Sequence, residues 1–172
     1  MSDTVLLAWP EIRAAMDIAL HRHVYDSAKK LRAKRGATED FYDGLTLSLP
    51  GCLAEIAVAK FLNMYWTGVA GIGVPDVGGF IEVRSIRKDY YGLRFHPEDK
   101  DDLPSVLANV KNPEAIEILG WAYGRDAKKD EFWKDPSGKN RPFFLYPQNK
   151  LKPMSELFGV IYERGIKSVR AA

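Results

Sequence analysis

Cysteine is almost absent: the 172 residues contain one, Cys52. It cannot form a disulfide within the chain, and no Cys-x-x-Cys or Cys/His zinc spacing can be built from it, which favours a reducing compartment. Long apolar runs are missing too. The segment Met1-Ser-Asp-Thr-Val-Leu-Leu-Ala-Trp-Pro10 lacks a basic n-region, and its apolar stretch is too short for a signal peptide or a membrane span. A soluble, cytoplasmic protein with no membrane partner is expected. Charge of one sign is scarce as well: 25 Lys and Arg against 23 Asp and Glu leave a formal net charge of +2, too small to draw polyanions unless it is concentrated on one face. No repeat, low-complexity tract or linker is found. At roughly 100–200 residues per domain, the 46% hydrophobic content implies a single domain over residues 1–172 with one core.

Charge is unevenly placed. Residues 28–35 hold five bases and no acid, among them Lys29, Lys30 and Arg32, and residues 84–94 hold Arg84, Arg87, Lys88 and Arg94 against Asp89 alone. Each run reads either as a solvated helix end or loop, or as a nucleic-acid contact. Between residues 9 and 35, Ile12, Met16, Ala19, Leu20, Val24, Ala28 and Leu31 recur at steps of three and four, the mark of an amphipathic helix that Pro10 opens and Gly36 ends. A polar loop over 37–42 and a short run over 45–49 follow. Pro50-Gly51 then opens a second helix from Cys52 to about Asn63, with Leu53, Ile56, Ala57, the Lys60 stem and Phe61 facing the core. Glu55 falls on a neighbouring face with Val58, Ala59 and Leu62; an acid there is costly unless exposed, paired or bound to metal.

From Val69 the period changes to two. Strands are expected over 69–75, 80–86, 91–95, 105–110, 115–123 and 143–146, and short helices over 126–133 and 154–158, giving an α+β (α/β-like) fold with N-terminal helices packed on a central mixed β-sheet. In the strand over 80–86, Glu82 and Arg84 share one face while Ile81 and Val83 take the other. A strict two-residue Gly78-Gly79 turn would turn Asp76 away from Glu82. A three-residue turn or glycine bulge restores the shared face, and the glycines permit the positive φ that this requires. The bulged form is expected. Converging carboxylates hold Mg²⁺ through oxygen ligands, and a neighbouring cation can neutralise charge on a phosphoryl group; the plainer reading of Glu82 and Arg84 is a same-face ion pair on a solvated sheet.

Other motifs carry less. His21 and His23 diverge on their helix, His96-Pro-Glu98 lacks the Pro-Cys-x-x-Cys of zinc deaminases, Gly71-x-Gly73 lacks the rest of a dinucleotide loop, and no Ser-His-Asp or Cys-His pairing can be drawn. Trp66 or Tyr90-Tyr91, if exposed near the hairpin, would suit nucleic acid.

Gly51-x-x-x-Glu55 on a helix, followed by Pro75-Asp76, five residues, and Glu82-Val-Arg84, resembles the PD-(D/E)XK nuclease superfamily. The runs Gly51–Leu62, Pro75–Gly79, Ile81–Ser85, Gly120–Lys128 and Tyr146-Pro-Gln148 are similar to small proteins common in phage and prophage sequences. The resemblance implies a restriction-endonuclease-like core over about 50–150, after the helix at 9–35 and before a C-terminal extension at 151–172. It implies that Glu55, Asp76 and Glu82 ligate Mg²⁺ (or Mn²⁺), with the Val83 carbonyl able to join, and that Arg84 stands where the superfamily has lysine. Arginine stays protonated, so Arg84 could orient a phosphate but not act as base; Lys60 lies about 140° around the helix from Glu55 and fits that role worse than Lys88. The implied activity is Mg²⁺-dependent hydrolysis of DNA phosphodiesters by catalytic Glu55, Asp76, Glu82 and Arg84. Lys29, Lys30, Arg32, Arg84, Arg87 and Lys88 would hold the nucleic acid, in the cytoplasm of a bacterial host and with a homodimer as an option. The alternatives are a catalytically inactive nucleic-acid-binding protein and a phage protein-interaction module that docks a protein partner.

Overall fold

The computed structural model describes residues 2–28, 41–68, 74–135 and 142–165. Lys29, Lys30 and Arg32, and residues 69–73 of the strand expected over 69–75, lie outside the described residues; Val74 and Pro75 are not in a strand. The chain begins with β1 (Asp3–Leu6) and α1 (Trp9–Ala28). Glu11 caps α1 by accepting the Ala8 N–H at 2.6 Å, and Pro10 sits in the first turn, where its missing N–H is harmless.

The second helix, α2 (Phe41–Phe61), starts well before the expected Cys52 and carries Pro50 inside it. A mid-helix proline removes one N–H and crowds the preceding turn. Here packing overrides that cost, because α2 lies between α1 on one side and the sheet on the other. Cys52, Leu53, Ala54, Glu55, Ala57, Val58, Ala59 and Leu62 are all buried, so the helix is covered nearly all round and its apolar residues show no single stripe. Of the expected stripe, Lys60 is instead exposed: its Nζ donates to Leu6 O at 2.9 Å and pairs with Glu11 at 2.7 Å.

The central sheet has the order β1-β5-β4-β2. β2 (Glu82–Ile86) runs parallel to β4 (Pro104–Asn109), and β5 (Ala115–Tyr123) runs antiparallel to both β4 and β1. β4 is buried along its length, and its side chains divide by alternation: Val106 and Ala108 join the core under the helices, whereas Leu107 joins Leu93, Phe95, Ala122 and Ala127 on the reverse face. That reverse face is covered by a second sheet, β3-β7-β6, built from β3 (Leu93–Phe95), β7 (Phe143–Tyr146) and β6 (Trp133–Lys134). α3 (Gly124–Ala127) and a turn of 3₁₀ helix at 130–132 replace the single helix expected over 126–133. α4 (Met154–Glu163) runs past the expected end at Phe158 and returns Met154, Leu157 and Ile161 to the helix-side core, with Phe158 against Phe61. The fold is α+β, with helices on one face of a mixed sheet and a small antiparallel sheet on the other. Among the described residues no helix is long and apolar enough to cross a membrane.

Candidate functional site

The connection into β2 is a three-residue loop. Val77 N–H donates to Ile81 O and Ile81 N–H donates to Val77 O, both at 3.0 Å, leaving Gly78, Gly79 and Phe80 between them. Gly78 and Gly79 adopt φ of 61° and 76°, a region side chains avoid. Counting outward from the Val77–Ile81 bridge sets Asp76 opposite Glu82, the expected bulged register, and Asp76 Oδ2 accepts the Val83 N–H at 2.7 Å.

Alternation then separates the acids. Ile81 and Val83 belong to the core beneath α2, while Ile86 packs on the second-sheet side, so Glu82 and Arg84 face that second sheet. There Arg84 pairs with Glu82 at 3.0 Å and with Asp99 at 3.4 Å, and Asp99 also accepts the His96 N–H at 2.8 Å. Glu55 sits on the helix side, buried, and both its oxygens are held by Arg22 of α1 at 2.8 Å; Trp66 Nε1 donates to it at 3.0 Å. The Arg22 Nε–H donates to Gly68 O at 3.0 Å.

Asp76 stands at the strand edge and senses both sides. Burial, the charge of Glu55 and then that of Glu82 push its carboxyl up to about 7, against the opposing pull of the Val83 N–H and Arg84. Burial works against the charge of Arg84, but Asp99, Glu82 and Asp76 outweigh it and raise its pKa; burial likewise opposes Arg22, and its hydrogen bonds and attraction to Glu55 win. The Cys52 thiol is driven up to about 12, chiefly by burial, which makes it an inert core group.

The structure thus brings Asp76, Glu82 and Arg84 together and gives Glu55 a separate partner. Among the described residues, no group of three or more His, Cys, Asp or Glu side chains is arranged to hold a metal ion. Lys60 lies at the far end of α2, and Lys88 is exposed past the end of β2, its Nζ over the Tyr90 ring at 5.8 Å. Arg87 is exposed beside it. Sequence reasoning missed Arg22, Asp99 and Lys128, the last of which braces the loop that presents Asp99 by donating to Pro97 O at 3.0 Å and pairing with Asp101 at 2.8 Å. The cost of an acid on an apolar helix signals that Glu55 needs a cation, but the sequence offers many cations and no pattern that selects Arg22.

The chemistry of the strand edge follows from its charges. Arg22 balances Glu55 on the helix side, and on the other side Arg84 alone stands against Asp76, Glu82 and Asp99, a surplus of two negative charges when every acid is ionised. Such a site draws a cation more readily than a bare phosphate. Asp76 and Glu82 stand opposite one another in the hairpin register and offer hard carboxylate oxygens, which fits the way Mg²⁺ is bound, by one or two carboxylates with water completing its shell. Arg84 uses Nη1 on Glu82 and the Val83 carbonyl and Nη2 on Asp99, leaving, among the described residues, the Nε–H and one Nη2–H of its five donors. In comparisons with protein-family models, curated proteins and solved structures, nothing matches this chain.

Proposed function

We propose that the protein is a Mg²⁺-dependent (or Mn²⁺-dependent) phosphodiesterase acting on DNA, with Asp76 and Glu82 holding the metal and Arg84 orienting the scissile phosphate. What supports this reading is Asp76: a half-buried carboxyl opposite Glu82, pushed up to about 7 by burial and by the charges of Glu55 and Glu82, is a group whose ionised form the Val83 N–H and Arg84 compensate only in part. Bound there, Mg²⁺ would supply an activated water and draw charge off the phosphoryl oxygens. Asp76 gives up its proton near neutral pH to join the site. Glu55 contributes negative potential from behind, fixed by Arg22 and Trp66. Arg84 remains charged throughout and lends its spare N–H groups to a phosphate oxygen, while Asp99 and Glu82 keep its plane in place. The helix α2, the hairpin and the mixed sheet are in keeping with a restriction-endonuclease-like core, and a phage-encoded enzyme of this kind would act in the bacterial cytoplasm.

The test is a Mg²⁺ and Mn²⁺ titration of purified protein against plasmid, single-stranded and branched DNA, with Glu82→Ala alongside. Cleavage by the parent protein that is lost in Glu82→Ala is expected; no cleavage with any metal, or equal cleavage by both, would count against the reading. One observation favours a second reading, nucleic-acid binding without hydrolysis: Arg22 and Arg84 already neutralise Glu55 and Glu82. It predicts salt-sensitive binding that metal does not convert into cleavage.

A further inference from the structure

Past the C-terminal end of β2 the chain makes a short loop, residues 87–92, that the rest of the molecule holds unusually firmly. Gln148 Nε2 donates to two of its carbonyls, Asp89 O at 2.7 Å and Tyr91 O at 2.6 Å. The buried Asn109 donates to Asp89 Oδ1 at 2.8 Å, and Lys111 pairs with Asp89 Oδ2 at 3.2 Å. Gln148 is the last residue of the Tyr146-Pro-Gln148 run, so this bracing gives that run a structural purpose. Yet what the loop carries faces solvent. Tyr90 is 74% exposed and Tyr91 37%, their rings stacked with centroids 4.8 Å apart.

Two large rings held outward by buried and half-buried polar anchors contribute little to the core. They are a surface kept ready for something flat and aromatic, and their fixed position lowers the entropy cost of binding it. The surroundings specify the rest. Arg87, Lys88 and Lys111 line a depression of about 510 Å³ beside Asp89 and Tyr90, three positive charges against one negative, which suits a strand of phosphates rather than a cation or an acidic peptide. A duplex hides its base faces, whereas a single strand offers them.

We infer that the 87–91 loop is a stacking platform for single-stranded nucleic acid, in which a base takes the place of the Lys88 ammonium over the Tyr90 ring, Arg87 and the displaced Lys88 take the flanking phosphates, and Lys111 adds positive potential from its pairing with Asp89. The platform deepens the proposed function and rests on it for the reaction that follows, though binding itself needs no metal. Glu82 opens β2 and Arg87 is the first residue past its end, roughly 16 Å away at the rise of a strand, so a short stretch of single strand is long enough to span from the tyrosine to the carboxylates.

The experiment is fluorescence anisotropy of the full chain in EDTA with labelled oligo(dT), oligo(rU) and a duplex of equal length, at low and high salt. The parent protein is expected to bind one or both single strands more tightly than duplex, with affinity falling as salt rises. Tyr90→Ala should weaken binding by about tenfold, the scale of one lost base stack, and Tyr90→Phe should retain it; the exposure of Tyr90 means both variants fold. Preference for oligo(dT) or oligo(rU) distinguishes DNA from RNA as the source of the strand. No binding by the parent protein, equal binding of duplex and single strand, or unchanged binding in Tyr90→Ala would overturn the platform. Binding with these properties but without metal-dependent cleavage would leave the platform standing and remove the hydrolytic reading; cleavage together with unchanged binding in Tyr90→Ala would do the reverse.

Discussion

At the scale of single residues, two carboxyl groups meet burial differently. Glu55 is buried and ionically satisfied, with both oxygens on Arg22 and a third hydrogen bond from Trp66. Removing one partner of such a pair leaves a charge with no compensation, a loss of about 3–5 kcal/mol. Arg22→Ala should therefore destabilise the fold by that amount in urea unfolding, and the double change Arg22→Met, Glu55→Leu should restore most of it; a marginal effect of Arg22→Ala would contradict the pairing. Asp76 is half-buried without an equal partner. Its pKa rises from 3.8 to about 7, so the folded state prefers the protonated form. The stability this confers is present in full below about pH 4 and lost as pH rises through 7, on the order of 4 kcal/mol in total. Thermal melts of the parent protein should fall across that window, whereas Asp76→Asn should remove the Asp76 contribution to that fall. Mg²⁺ at pH 8 should raise the melting temperature of the parent protein and leave that of Asp76→Asn unmoved. Asp76, Glu82 and Arg84 were legible in the sequence because spacing along a hairpin is a local matter. The partner of Glu55 was not, since Arg22 meets it only through the packing of α1 on α2.

At the scale of elements, short-range signals worked wherever the structure is short-range. β5 and β7 have the bounds that alternation gives, and the two glycines before Phe80 produce the expected bulged register. The failure at α2 has the opposite origin: proline and glycine at 50 and 51 are a start signal for an isolated helix, and burial between α1 and the sheet carries the helix through them. β1 has no local signal beyond a short apolar run, and it exists by pairing with β5. Within β5, Gly120 meets a constraint invisible in sequence. Its φ is 136°, and a Cβ there would lie 2.6 Å from Lys152 O and 2.9 Å from Leu151 Cβ. The neighbouring Trp121 exchanges backbone hydrogen bonds with Lys152 at 3.0 and 2.9 Å and donates from Nε1 to Pro153 O at 3.1 Å, tying the approach to α4 onto the sheet. Gly120→Ala should cost about 2–4 kcal/mol through strain and overpacking, measured as a lower unfolding midpoint, while Gly159→Ala, with open space around its Cβ, should be tolerated.

At the scale of the whole molecule, a layered arrangement explains why three acids close in sequence do not form one ligand shell. The strand β2 is a partition: Glu55 belongs to the helix layer, Glu82 to the side of the second sheet, and Asp76 to the edge where the two potentials meet. The α+β class could be read from the order of periodicities, helical first and then alternating, but the division of the strands into two sheets could not, because β3 reaches β7 across the whole of residues 96–142, whereas β6 reaches it across residues 135–142 alone. The same partition gives the protein its directional surface, with carboxylates at one end of β2 and an outward pair of tyrosines at the other. The most direct test of the metal-holding pair is calorimetric titration of Mg²⁺ near pH 7 in two buffers of different ionisation enthalpy. Binding accompanied by proton release from Asp76 is expected, abolished in both Asp76→Asn and Glu82→Gln. No binding, or binding that both variants retain with the same proton release, would contradict it.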